Sequence, residues 1–493
     1  MKFADLILDK LNNFPEHKWL EFDNKLVSCR DTLNAIDDYA QMISNHDILL
    51  DGAILGIAMK TSYEFVISDL MALKNNSITL PIPLDFEDGQ IKSLLSNVSC
   101  VLVKSNVDAK RLLSLLPNKT IINVSTGELI NKMNVNVDIP IIPKGIIKII
   151  HTSGTTSNPK GVMIKDDAML ILLNSLFERF PQDALNYLSI VPMSLLIEQV
   201  LGIYCPLLSG GKLTILPKEM NEFGSQYNNV FDYLDLIKLY KPNFMYLAPK
   251  LLDEIDRHYN LDTSLNNTYV ITGGAKVNHN TLTSLQKKGI KVYEAYGLSE
   301  NSSVISINGI NDWRIGTSGK ILPHISYKIR DGELLIKSKT MCSGYFTRDD
   351  SACEITEDGY LCTGDLVEVL DGDYIVIKGR KKHVLILSNA RNISPEWVEA
   401  KIKLHDSIYD CVVTGDGLDF LHVIIMTMIK NNEHINFIIK SVNNELPKFA
   451  QIGKITIVDN VEKFINEFYT VTGRPRRSLI HKEFNCETNY EIH

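Results

Sequence analysis

The sequence predicts an α/β fold: a large N-terminal region of mostly parallel sheets with flanking helices plus a β-rich subdomain, and a small α+β C-terminal domain joined by a hinge. Three observations lead there. Short apolar runs alternate with helix-like stretches in the first part of the chain, as in ILGIAM, SYEFVISDLMALK, ITLPIP, EDGQIKSLLSN and CVLVK. That is the rhythm of βαβ units, whose buried parallel strands appear as continuous Val/Ile/Leu runs. From about residue 310 the strands shorten, and ISYKIRDGELLIKS and DGDYIVIKGR each hold an Asp-Gly pair that suits a tight turn. After GRKK at 379–382 the order HVLILS, SPEWVEAKIKLH, CVVTG, LHVIIMTMI, a helix and KITIVD reads as a compact α+β unit over residues 383–493. Ser394 and Pro395 fit the N-cap and the first position of its first helix.

A chain of 493 residues exceeds one hydrophobic core and implies at least two domains. The expected division is residues 1–380, then 383–493, with the hinge at Lys381 and Lys382. With 45% hydrophobic and 22% charged residues the composition is that of an ordinary soluble enzyme. The net charge of −8 argues against general nucleic-acid binding, which needs clustered Lys and Arg. Eight cysteines stand without CxxC or Cys/His spacing, so neither a zinc site nor a disulfide framework is indicated. The segment MKFADLILDKLNNFPEHKW has no apolar core of signal-peptide length, and no stretch approaches the ~20 apolar residues of a membrane span. A cytoplasmic location is expected.

The segment HTSGTTSNPKG at 151–161 follows the apolar run GIIKII and gathers small hydroxyl side chains, glycines and one lysine. Such a loop can cradle phosphates, because glycines let backbone N–H groups point at an anion and hydroxyls add donors. It is not a Walker loop, since Lys160 follows a proline and precedes a glycine. Downstream, in order, come ITGGAKV at 271–277, VYEAYGLSE at 292–300, GYLCTGDL at 359–366 and IKGRKK at 377–382. Each alone has a structural explanation as a turn or a surface loop.

Together these five ordered motifs resemble the adenylate-forming superfamily of acyl-CoA synthetases, amino-acid adenylation domains and luciferases. The resemblance implies a two-step reaction: a carboxylate attacks the α-phosphate of ATP, pyrophosphate leaves, and a thiol captures the acyl-adenylate. It implies that Thr152, Ser153, Gly154, Thr155, Thr156 and Lys160 restrain the β- and γ-phosphates. Gly273, Gly274 and Ala275 would line the adenine slot, Tyr296, followed by Gly297, would stack on the base, and Glu300, preceded by Ser299, would hold Mg2+. Asp365 and Arg380 would contact the ribose hydroxyls, and Lys381 and Lys382 would form the hinge about which the small domain turns between half-reactions. Near the end, VTGRPRRSLI puts Arg474 where the superfamily usually has the lysine that reaches the adenylate oxygens. Arginine keeps the charge in a bulkier, planar form.

The region LSIVPMSLLIEQVLGIYCPLLSGG at 188–211 matches one wall of the acid pocket in that superfamily. Met193 stands five residues before Glu198, where amino-acid-activating relatives carry an aspartate for the α-ammonium group. Leu195, Leu196 and Val200 give that wall an apolar character. The expectation is an AMP-forming acid:thiol ligase acting on a hydrophobic fatty or aryl acid. Its cofactors would be ATP and Mg2+, and its acceptor CoA or the phosphopantetheine arm of a carrier protein acting in trans. Two alternatives stand beside it: a stand-alone amino-acid adenylating enzyme that loads a carrier protein, and, because of Arg474, a catalytically impaired nucleotide- or acyl-adenylate-binding module.

Overall fold

The computed structural model describes residues 2–132, 142–151, 160–181, 183–223, 229–258, 265–346, 353–387, 392–429, 431–470 and 473–484. Within them the apolar runs read from the sequence become parallel strands. Ile54–Ile57 lies between Ile78–Pro81 and Cys100–Val103, and Tyr63–Lys74 and Asp88–Leu95 are the crossing helices. All four residues of each of these strands are buried, as a sheet covered on both faces requires. The sheet of seven strands ends in an antiparallel pair, Ile146–His151 with Gly161–Lys165.

A second sheet, of 13 strands among the described residues, carries most of the remaining N-terminal region. At its centre Lys212–Ile215, Asn186–Ser189, Phe244–Tyr246, Tyr269–Gly273 and Val292–Leu298 run parallel. The antiparallel strands expected after residue 310 are present, but they extend this same sheet: Lys320 pairs with Ile307 on one side and with Tyr374 on the other. Asp331 and Gly332 both take positive φ in the hairpin between Ile325–Arg330 and Glu333–Ser338, as a two-residue turn of the favoured twist demands. The opposite edge is a hairpin, Lys18–Phe22 with Lys25–Ser28, that the sequence reading left unassigned.

The C-terminal residues build their own three-stranded sheet from Asp410–Thr414, Leu421–Met426 and Ile452–Ile457. Period-two alternation divides its core. Cys411, Val413, Val423 and Ile425 pack under the helices Pro395–Ile402 and Asn432–Glu445, whereas Val412, Ile424 and Met426 pack with Phe464, Phe468 and Ile480 on the other face. Pro395 opens its helix as expected, but the Ser394 hydroxyl bonds to the Lys378 carbonyl and to Glu396 instead of capping the helix. Among the described residues no helix is long and apolar enough to cross a membrane.

Candidate active site

The predicted phosphate loop, with Thr152, Ser153, Gly154, Thr155 and Thr156, lies outside the described residues; its two flanks are the antiparallel strands that pair His151 with Gly161. Lys160 begins the second flank. Its ammonium lies 4.9 Å from the centre of the Tyr345 ring, and the Tyr345 hydroxyl donates to the Glu300 carboxylate at 3.0 Å. Backbone pairing fixes this corner: the Phe346 N–H donates to Gly161 O at 2.7 Å, and the Met163 N–H donates to Gly344 O at 3.1 Å. Lys160 and Glu300, far apart in sequence, thus share one neighbour.

The strand Tyr269–Gly273 runs straight into the Gly273–Ala275 turn. Gly274 has φ +81, a left-handed conformation that favours glycine. The Tyr246 hydroxyl donates to Gly273 O at 2.8 Å, and the Arg474 guanidinium donates to Gly274 O. Asn278 and Asn280 extend the contact, their side-chain amides donating to the carbonyls of Lys403 and Leu404 at 2.6 and 2.9 Å. The small C-terminal unit therefore sits on this turn.

Tyr296 lies on the neighbouring strand, and its hydroxyl donates to Asp365 at 2.5 Å. Asp365 and Arg380 face each other across two strands, with Arg380 Nε 2.8 Å from the carboxylate. Burial pushes the Asp365 carboxyl above its ordinary range, while Arg380 and the Tyr296 hydrogen bond pull it back. At Gly297 the strand register shifts, and a Cβ would lie 1.7 Å from the Ser303 carbonyl oxygen, so no larger residue fits. Ser299 opens the short 3-10 turn that carries Glu300.

Lys381 points outward and pairs with Glu333 at 2.8 Å; at 61% side-chain exposure this ion pair contributes little. Lys382 is also exposed, but its charge lies near others: partial burial lowers its pKa first, the charges of Arg380, Arg474 and Lys160 lower it further, and Asp365 opposes them. Arg474 likewise titrates below its ordinary value, through burial first and Arg380 second. Four positive charges thus influence one another around the buried Asp365 carboxylate. Such an arrangement is costly by itself and complementary to a polyanion.

Of the predicted acid-pocket residues, Met193 and Val200 are fully buried in the main core, Leu196 is nearly so and Leu195 is half-buried. The Met193 N–H bonds to the Thr61 hydroxyl at 2.9 Å, and its carbonyl accepts from the Gln199 amide at 2.8 Å. From Gln199 to Tyr204 the wall is a π-helix, an irregularity that sequence periodicity does not signal. Glu198 is buried between Tyr187 and Ser189, whose hydroxyls lie 2.5 and 2.6 Å from its carboxyl group.

Among the described residues no group of three or more His, Cys, Asp or Glu side chains could hold a metal ion by itself. A lone carboxylate such as Glu300 suits Mg2+ that takes its other oxygens from a nucleotide triphosphate and water. Tyr246, Tyr345 and the charged surroundings of Lys382 are not signalled by the sequence. No motif marks the two tyrosines, and Lys382 was read only as a hinge.

An AMP-binding enzyme family model matches residues 8–346, and one for the AMP-binding enzyme C-terminal domain matches residues 382–489. A long-chain-fatty-acid–CoA ligase of Mycobacterium bovis is 35% identical over 156 residues, which are 31% of this chain and 26% of that protein. A 2-succinylbenzoate–CoA ligase of Bacillus cytotoxicus is 27% identical over 54% of this chain and 56% of its own length. The chain thus spans between about a quarter and just over half of the length of these curated relatives. The solved structure of o-succinylbenzoate CoA synthetase from Bacillus subtilis with its acyl-adenylate intermediate superposes with a TM-score of 0.81 at 17% identity, over 99% of both chains. The two matched regions take in the Gly273–Ala275 turn, Tyr296 and Glu300 on one side and Arg474 on the other, and the chain belongs to the AMP-binding enzyme family of the adenylate-forming superfamily.

Proposed function

We propose that the protein is an AMP-forming acid:thiol ligase, which joins a carboxylic acid to the α-phosphate of ATP with release of pyrophosphate and then transfers the acyl group to a thiol. One observation carries the reading. Lys160, Arg380, Lys382 and Arg474, contributed by three separate segments, act on one another electrostatically around Asp365, and Arg474 also donates to the Gly274 carbonyl of the Gly273–Ala275 turn. The phosphates of ATP suit such a gathering of positive charge.

In this reading Lys160 holds the outer phosphates, and Arg474 stabilises the charge that develops as the carboxylate meets the α-phosphate; fixed donors aimed at developing charge lower such barriers. Tyr296 and the Gly273–Ala275 turn hold the adenine, and Asp365 with Arg380 holds the ribose. Glu300, oriented by Tyr345, would hold Mg2+, which neutralises phosphate charge. Lys381 and Lys382 form the hinge, and Thr152, Ser153, Gly154, Thr155 and Thr156 complete the phosphate site. The acceptor is CoA, a reading supported by relatives named as CoA ligases; the pantetheine arm of a carrier protein has the same thiol chemistry. The acid is apolar and lacks an α-ammonium group, because Met193 offers no counter-charge where one would be needed and an unpaired buried charge is costly.

Exchange of labelled pyrophosphate into ATP, run over a panel of fatty, aryl and amino acids, tests this directly. Exchange should be fastest with an apolar acid. Preference for a free amino acid would overturn the pocket assignment, and ATP binding without exchange for any acid would overturn the ligase.

A further inference from the structure

Cys342 and Cys353 lie with their sulfurs 3.5 Å apart, beside the corner that carries Glu300. Both are half-exposed, whereas Cys29, Cys100, Cys205 and Cys411 are buried. We propose that this pair is a peroxide-oxidisable dithiol whose disulfide slows the adenylation half-reaction.

Closure needs little movement, since a disulfide bond is ~2.05 Å long and the sulfurs already touch. In the reaction one cysteine, as thiolate, attacks the O–O bond of hydrogen peroxide and becomes a sulfenic acid, releasing hydroxide that is protonated to water. The second sulfur attacks that sulfenyl sulfur and expels a second hydroxide, which leaves as water with the thiol's proton. Two thiols are oxidised, one peroxide is reduced, and two waters form.

The link to catalysis is short and runs through hydrogen bonds. The Cys342 N–H donates to the Glu300 carbonyl at 2.8 Å, the next residue's N–H donates to Met163 O at 3.1 Å, and Tyr345, three positions on, holds the Glu300 carboxylate. Drawing Cys342 toward Cys353 therefore pulls on the segment that aligns Glu300 with Lys160. Among the described residues the other half-exposed thiol, Cys362, bonds only weakly to Arg330 at 3.9 Å and has no sulfur partner, so it serves as an internal control.

The full chain, treated with a small molar excess of hydrogen peroxide, should yield a peptide pair joined through Cys342 and Cys353 on non-reducing mass mapping. Pyrophosphate exchange should fall about tenfold and return with dithiothreitol. Cys353→Ser and Cys353→Ala should keep the parent's exchange rate and lose the peroxide response. The rate arm rests on the adenylation reading, but the mapping does not, so the two can fail separately. Absence of the joined pair at doses that slow exchange, a joined pair with an unchanged rate, or variants as sensitive as the parent would each overturn the proposal.

Discussion

The Arg474 guanidinium donates to the backbone carbonyl of Gly274, 200 residues earlier in the chain, and so ties the small unit to the turn proposed to line the adenine slot. Arginine has five N–H donors in a planar fork, so it can hold this carbonyl and still present donors to phosphate. A lysine ammonium, compact and on a flexible stem, would have to divide its bonds differently. Substitution of the usual lysine thus brings a latch together with the charge.

Arg474→Ala should lower carboxylate-dependent pyrophosphate exchange by ~100-fold or more, the usual effect of losing a preorganised charged donor. Thioester formation from synthetic acyl-adenylate should be little affected if the small unit turns away before capture, as the proposed hinge requires. Arg474→Lys should retain measurable exchange, with the charge kept and the latch weakened. If Arg474→Ala exchanges as fast as the parent, the role proposed for Arg474 falls.

Lys160→Ala and Glu300→Gln should both slow adenylation, and Tyr345→Phe should slow it less. The phenol only orients Glu300 and supports Lys160, and loss of a hydrogen bond to a charged group is worth ~1.5–3 kcal/mol. In Tyr345→Phe the magnesium dependence of exchange should shift to higher concentration. An unchanged magnesium curve would detach Tyr345 from Glu300.

Lys382 stands at the proposed hinge, and its charge feels those of Arg380, Asp365, Arg474 and Lys160, so backbone and charge can be separated by mutation. Lys382→Ala should slow adenylation by about tenfold, the effect of losing ~1.4 kcal/mol of transition-state stabilisation, and leave capture intact. Lys382→Pro should add a large loss in capture, because a fixed φ hinders rotation. Single-turnover kinetics of each half-reaction distinguish the two. Equal loss of both steps in both variants would remove the hinge assignment.

Much of this was legible in the chain because it lies in local patterns. The runs ILGIAM and CVLVK announce buried parallel strands, and both Asp-Gly turns carry positive φ at their glycines. Of the motif residues, the fold puts Tyr296, on the strand beside Gly273, in contact with Asp365 and Asp365 in contact with Arg380, and Arg474 on the Gly274 carbonyl. What stayed hidden depends on tertiary approach. Tyr246 reads as one more apolar strand residue until its hydroxyl is seen on the Gly273 carbonyl, and Tyr345 gains its meaning only from the pairing of its segment with Gly161 and Met163. The edge hairpin Lys18–Ser28 escaped because its four- and five-residue strands have no long alternation, and the π-helix because it extends a helical pattern by a single added residue per turn.

Glu198 yields a prediction that does not depend on substrate. Burial raises its pKa from 4.5 to about 8, against the hydrogen bonds of Ser189 and Tyr187, so the folded protein keeps it protonated near neutral pH. The folded state holds this proton more tightly than the unfolded chain. Its stabilising effect is complete below about pH 4.5, declines as the unfolded chain releases the proton, and is gone once the pH passes about 8. Across that window the loss amounts to a few kcal/mol at most, since each pKa unit corresponds to ~1.4 kcal/mol. Glu198→Gln retains the shape and can bond to both hydroxyls without a titrating proton. Calorimetric unfolding from pH 5 to pH 8 should therefore show Tm falling less steeply in Glu198→Gln than in the parent, with the two converging at the acid end. Parallel Tm curves would mean that Glu198 is already ionised in the fold, and that the hydroxyls of Tyr187 and Ser189 are sufficient to hold its charge.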